Sequence, residues 1–265
     1  MHLMFGDEAD KDAAKDKKFF VYGAIFVPSN SISALHAEVE RLRVAAGMSG
    51  TDTLKSGTNT KPTGMANDAH RQLKIDVTRA ALEKGNVKLC VQVTLHDLAR
   101  NQDHDDRILY GANTILAKFN QFLAAQNSYG FAVMDRIPVA NPYDYLKEKF
   151  QVGLTQGGKP IGRLDRVLGF SHGADGTSHL CSVCDILLGS FRYCVNDPKN
   201  ENVALEMFPK LMQMMWRGRR DGQETSREFG LCFRPLKIEV AKYQAEYDAL
   251  ETRLQGYLNG KRSEG

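Results

Sequence analysis

Nowhere in the 265 residues does an apolar run approach the roughly 18 needed to cross a bilayer. The N-terminus carries no basic segment followed by an apolar one, so nothing there reads as a secretory signal. Cysteine is sparse as well. Cys90, Cys181, Cys184, Cys194 and Cys232 are odd in number and lie mostly inside apolar runs, which suits buried thiols in a reducing compartment better than a disulfide framework. These absences argue against a membrane or secreted role and predict a cytoplasmic protein. Strong charge of one sign is also missing: 35 Lys and Arg stand against 32 Asp and Glu, and the resulting +3 does not by itself point to nucleic acid. Internal repeats and low-complexity tracts are absent too.

What remains is an ordinary globular composition, 42% hydrophobic and 25% charged, in a chain long enough to bury a substantial core. Its first stretch is the most informative. Leu3, Met4 and Phe5 read as a short buried strand that ends abruptly in two acids, Asp7 and Glu8. Phe19–Val27, rich in aromatic and β-branched residues and closed by Pro28, predicts a second strand antiparallel to the first. Ile32, Leu35, Val39 and Leu42 recur at helical spacing, with Ser29, Ser31 or Ser33 as the cap.

Residues 48–64 are loaded with Gly, Ser, Thr and Asn and predict a long functional loop. A helix over 66–84 follows, then a half-buried strand over 87–95 with alternating apolar residues. The stripe Ile108, Ala112, Ile115, Phe119, Phe122 predicts a helix over 105–126. Strands follow at 131–135 and 166–170, separated by a short amphipathic piece and a Gly-rich connection over 153–162. Helices close the chain at 178–195, 203–216 and 236–258. This order predicts an α/β protein, a mixed sheet flanked by helices, with residues 1–195 as the core and 196–265 as a helical C-terminal extension packed on it or projecting from it.

Three acids sit on apolar elements far apart in the chain. Asp7 and Asp135 each end a strand, where ligands collect in open α/β sheets. Asp185 lies inside the apolar helix Leu180–Gly189, where a lone charge is costly unless it is paired or bound to metal. On that helix Cys181, Asp185, Gly189 and Arg192 share a face, and Gly189 leaves room for a close neighbour. Singly, each acid has a structural explanation: Asp7 capping a turn, Asp135 pairing with Arg136 or Arg166, Asp185 pairing with Arg192. Together they match what Mg2+ or Mn2+ requires, several carboxylates on rigid supports, and such ions can activate water and stabilise the leaving oxygen of a phosphodiester.

These residues resemble a bacterial and phage family known as domain of unknown function 3800 (DUF3800), a divergent ribonuclease H-like fold. Phe5-Gly6-Asp7-Glu8-Ala9 is similar to its first strand, Tyr22-Gly23-Ala24 to its second, Val133-Met134-Asp135 to the strand ending in Asp, and Cys184-Asp185-Ile186-Leu187-Leu188-Gly189 to its late helix. The family's Glu-Leu-Lys element matches Thr53-Leu54-Lys55 only in part: Lys55 carries over, the glutamate does not, and a one-residue shift would bring in Asp52. Its late glutamine is replaced by Ser182. The resemblance spans residues 1–195. It implies a ribonuclease H-like core in which Asp7, Asp135 and Asp185 bind metal, Glu8 assists and Lys55 approaches phosphate. It further implies a metal-dependent nuclease, hydrolysing DNA or RNA in phage defence or mobile elements. Strand alternation points Glu8 away from the face used by Asp7, which ranks it below the aspartates.

Competing readings remain open. Cys181 and Cys184 with His172 and His179 suggest zinc, but a single Cys-x-x-Cys is weak. The two histidines would otherwise assist proton transfer or cap the helix. Gly153–Gly162 lacks the glycine spacing of a phosphate loop. Lys15, Lys17 and Lys18 form one basic cluster, and Trp216 with Arg217, Arg219 and Arg220 forms another. The second would hold nucleic acid or a partner in a catalytically weak binding protein that keeps the fold. Tyr243, Tyr247, Leu250, Leu254 and Tyr257 form a seam on the final helix that either closes a homodimer or packs back on its own domain.

Overall fold

A computed structural model describes residues 1–9, 17–99, 103–135, 137–156, 158–174, 176–196 and 199–262; Lys15 and Arg136, named above, lie outside them. Its centre is a six-stranded mixed sheet. The strands are β1 (His2–Ala9), β2 (Phe19–Pro28), β3 (Lys88–Leu95), β4 (Gly130–Met134), β7 (Val167–His172) and β10 (Leu231–Arg234), in the spatial order β10-β3-β2-β1-β4-β7. β1, β2 and β3 pair antiparallel in sequence. β4 lies parallel to β1, β7 parallel to β4, and β10 parallel to β3.

Period-two alternation sends the strand residues into two cores. Phe5, Val21, Ile25, Val91 and Val93 face one layer of helices: α1 (Ile32–Ala45), α2 (Asn67–Glu83), α5 (His179–Val195), α6 (Glu201–Met214) and α7 (Ala241–Leu258). Met4, Phe20, Tyr22, Phe26 and Cys90 face the other layer, where α3 (His104–Ala125) supplies the predicted stripe from Ile108 to Phe122, and α4 (Pro142–Gln151) adds Leu146. Each fully buried Phe or Leu contributes roughly 1.5–3 kcal/mol. Because both faces are covered, β3 is buried almost throughout and not half-buried, as its alternation suggested. The residues taken for its polar face, Gln92 and Thr94, are buried and bonded to each other at 3.2 Å.

The C-terminal third departs further from expectation. The short run Leu231–Arg234 extends the sheet as β10, and β8 (Gly218–Arg220) with β9 (Gln223–Thr225) forms a hairpin, so residues 196–262 are not purely helical. Four residues are too few for a period to separate strand from helix. The Gly-rich connection also carries a hairpin, β5 (Leu154–Gln156) against β6 (Lys159–Gly162). Trp216 is 5% exposed, packed edge-on against Phe122 and Phe229, so it offers no stacking surface for a nucleic-acid base. Tyr247, Leu250, Leu254 and Tyr257 are spent inside their own chain, with Tyr247 edge-on to both Phe19 and Phe233. The seam therefore packs back on its own domain and is not available to close a dimer.

All five cysteines are free thiols, four of them buried. Among the described residues no helix is long and apolar enough to cross a membrane.

Candidate functional site

Register alone brings the first two acids together. In the parallel β1–β4 pair Gly6 lies opposite Met134, and the Asp135 N–H donates to the Gly6 carbonyl at 2.9 Å, so Asp7 and Asp135 each stand one residue past the same rung. On its other side Asp7 pairs with Gly23 of β2. The missing side chain there matters: a Cβ on Gly23 would lie 2.5 Å from Leu188 of α5. Helix α5 therefore rests directly on the strands at the level of the acids.

That helix is pinned at both ends. The Ser178 hydroxyl accepts the Leu180 N–H at 3.1 Å as an N-cap. At the far end the Asn196 side chain accepts from Phe19 N–H at 2.8 Å and donates to Phe19 C=O at 2.9 Å, fastening the helix to the start of β2. In between, the Cys184 thiol donates to the Phe5 carbonyl at 3.0 Å, two residues before Asp7, and burial first, then Asp7, pushes its pKa well up. A protonated thiol bonded to backbone in a core is a structural group, and this weighs against the zinc reading. His179 Nε2 lies 2.9 Å from the Glu40 carboxylate of α1 and is taken by that contact.

One ligand oxygen from each of Asp7, Glu8 and Asp135 lies within 4.8 Å of the others. Inclusion of Glu8 corrects its lower ranking. Alternation turns it toward the α3 layer, where it lines a groove with Asp105 and Ile108, yet one carboxylate oxygen still falls within the group. Asp185 stands outside this group: its carboxylate accepts the Ser56 N–H at 2.5 Å and the Ser56 hydroxyl at 3.3 Å. It nonetheless acts on Asp7, whose carboxyl is pushed well above the usual carboxylate range by burial first, then by Asp135, Glu8 and Asp185, against a lowering bond from the Glu8 N–H at 2.8 Å.

Lys55 precedes Ser56 in the loop and is half-buried, and the Ser56 backbone N–H bonds Asp185. The cation missed from sequence is Lys74 of α2. Its ammonium donates to the Ser56 carbonyl at 3.0 Å, and burial lowers its pKa while Asp185 raises it. Its signal was a lysine between buried Leu73 and Ile75. Asp52 accepts the Ser49 N–H at 2.6 Å in a local turn, so the shifted ligand is not supplied from there.

A cavity of ≈ 20 Å³ lies against Asp7, Asp135, Gly173 and Cys181, the scale of a single water or ion. A wider groove of ≈ 810 Å³ runs along the other side of the cluster past Glu8, Asp105, Tyr143 and His172. Tyr143 is 79% exposed and meets His172 edge-on, and the buried His172 Nε2 has no hydrogen-bond partner among the described residues.

The donor set fits a hard divalent cation. Three carboxylate oxygens on rigid strand ends are what Mg2+ or Mn2+ selects, and oxygens across an ion at 2.0–2.6 Å stand about 4–5 Å apart. Fold and site thus define an α/β protein with a mixed sheet and a converging carboxylate group at the exit of its central strands. No protein-family model matches the chain, and a search of the curated proteins finds no match either.

Proposed function

We propose that this protein is a divalent-metal-dependent phosphodiesterase acting on DNA or RNA, on a ribonuclease H-like core. The observation that carries the reading is the meeting of Asp7, Glu8 and Asp135 within 4.8 Å at the exit of adjacent parallel strands. Supporting it is the strand order β3-β2-β1-β4-β7, three antiparallel strands followed by two parallel to the first. That order is like the ribonuclease H-like arrangement implied by the resemblance to the domain of unknown function 3800 family.

In this reading Asp7, Glu8 and Asp135 would hold Mg2+ or Mn2+, which when bound supplies Lewis-acid activation of water and charge neutralisation at a phosphodiester. Asp185, oriented by Ser56, adds negative field beside Asp7 and strengthens the site's demand for a cation. Lys74 fixes the carbonyl of Ser56 and so the loop that orients Asp185. His172 lines the groove beside Glu8, with its Nε2 turned inward. The arginines near Trp216 support the binding alternative less: Arg217 lies 3.7 Å from Glu224 and Arg220 3.9 Å from Asp221.

The test is cleavage of single-stranded, duplex and hybrid oligonucleotides with and without Mn2+. Products should require metal and fall by at least about a hundredfold in Asp7→Asn and Asp135→Asn, the scale of removing an electrostatic stabiliser in the transition state. Asp185→Asn should fall less. Activity surviving in both of the first two variants, with circular dichroism unchanged, would sink the assignment.

A further inference from the structure

Ser56 has a second side. The loop that presents its N–H to Asp185 also walls a cavity of ≈ 580 Å³ between α2, α5 and α6, a volume typical of small-molecule sites. Its lining holds three cations, Arg71, Lys74 and Arg192, and one acid, Asp68. Asp68 is 3.6 Å from Arg71 with a side chain 92% exposed, a loose pair worth little, which leaves most of the guanidinium's donors available to a ligand. Lys74 is half-buried, with its ammonium on the Ser56 carbonyl; desolvated cations of this kind are stabilised by an anion.

The rest of the lining is of a different character. Ile75 and Met207 are 5% and 4% exposed and, with Val203, offer an apolar floor beside the aromatic ring of Tyr193. Cations and apolar side chains lining one cavity suit a ligand that carries both characters, an anionic group joined to a ring. A bare phosphate would leave the floor empty. A nucleobase alone would bring no anion to Arg71, whose side chain is half exposed.

We propose that this cavity binds a nucleoside phosphate, with the phosphate among Arg71, Lys74 and Arg192 and the base on Ile75, Val203 and Met207. The inference rests on the phosphodiesterase reading only for the source of that unit, a nucleotide neighbouring the cleaved linkage of a polynucleotide. Ser56 lines this cavity and also holds Asp185, which acts on Asp7, so the two sites are linked through that loop.

Isothermal titration of the full chain in EDTA with 5′-AMP, adenosine and inorganic phosphate separates the contributions. AMP should bind saturably in the millimolar range or tighter, and both adenosine and phosphate at least tenfold more weakly, a difference of about 1.4 kcal/mol. Arg71→Ala, at a side chain already half exposed, should weaken AMP about tenfold with folding intact, and Lys74→Met likewise. The proposal is overturned by the absence of saturable AMP binding, by equal affinity for AMP and inorganic phosphate, or by wild-type AMP affinity in both variants. Because EDTA removes metal, the cavity and the hydrolytic site fail separately. AMP binding without metal-dependent cleavage would overturn the function proposed above and leave the cavity standing; cleavage without AMP binding would do the reverse.

Discussion

At the scale of single residues, the chemistry turns on how Asp7 is charged. Burial and three neighbouring acids raise its pKa above the ordinary 3.8, so the folded chain holds this proton to higher pH than the unfolded chain does. Stability from this group is present at low pH and declines as pH rises from the unfolded value toward the folded one. Asp7→Asn should therefore raise the melting temperature of metal-free protein at pH 7 by a few degrees, since about 1 kcal/mol corresponds to roughly 2–4 °C at this size. Mn2+ should raise the wild-type melting temperature, by about 2.7 kcal/mol at a hundred times Kd, and leave Asp7→Asn unmoved. An equal Mn2+ shift in both proteins would place the ion elsewhere. His70 gives the opposite slope. It is 1% exposed, and burial, then Lys74, lowers its pKa below the ordinary 6.5. Its contribution is present above that unfolded value and lost as pH falls through the folded one. His70→Gln should flatten the loss of urea stability between about pH 7 and 5, and an unchanged slope would assign it to another group. The acids were legible because charges ending apolar strands stand out against their neighbours. Ser56 and Lys74 were not, because their roles exist only once α2 and α5 meet across the loop.

At the scale of elements, most of the sheet and six of the seven described helices follow from period and punctuation, α4 having read only as a short amphipathic piece, and the failures are instructive. Leu231–Arg234 and the two small hairpins are shorter than any window in which a period can be measured. The contact between α5 and the 55–57 loop was half legible: Gly189 promised a close neighbour, and Ser56 is that neighbour. A Cβ at position 189 would lie 2.4 Å from Ser56 Cβ and 2.5 Å from its Oγ, so Gly189→Ala must displace the loop that orients Asp185. Overpacking of this kind costs about 1–3 kcal/mol. Gly50→Ala meets nothing within 4 Å and should change stability by less than about 0.5 kcal/mol. Chemical denaturation of the two variants checks the difference. If Gly189→Ala matches Gly50→Ala, the loop is not held against the helix as described.

At the scale of the whole molecule, the expected division at residue 195 meets a core that ignores it. The layer against α5 continues through Phe208, Leu211, Phe233 and Tyr247, and Trp216 fills the opposite layer beside Phe122. Tyr247 also ties the termini of two strands: its hydroxyl accepts the Leu95 N–H at 2.6 Å and donates to the Arg234 carbonyl at 2.7 Å. Sequence could not reveal this, because an apolar seam on a helix reads the same whether its partner is a second copy or the sheet behind it. A fragment of residues 1–195 would expose the α5 face and one edge of β3, so it should not unfold cooperatively. The single tryptophan supplies the matching measurement in the full chain. Trp216 reports on the C-terminal third while far-ultraviolet circular dichroism reports on the whole, and one shared core requires the two denaturation curves to coincide. A tryptophan transition at lower denaturant than the loss of helix, or a fragment 1–195 with the midpoint of the full chain, would mean that the two parts fold separately.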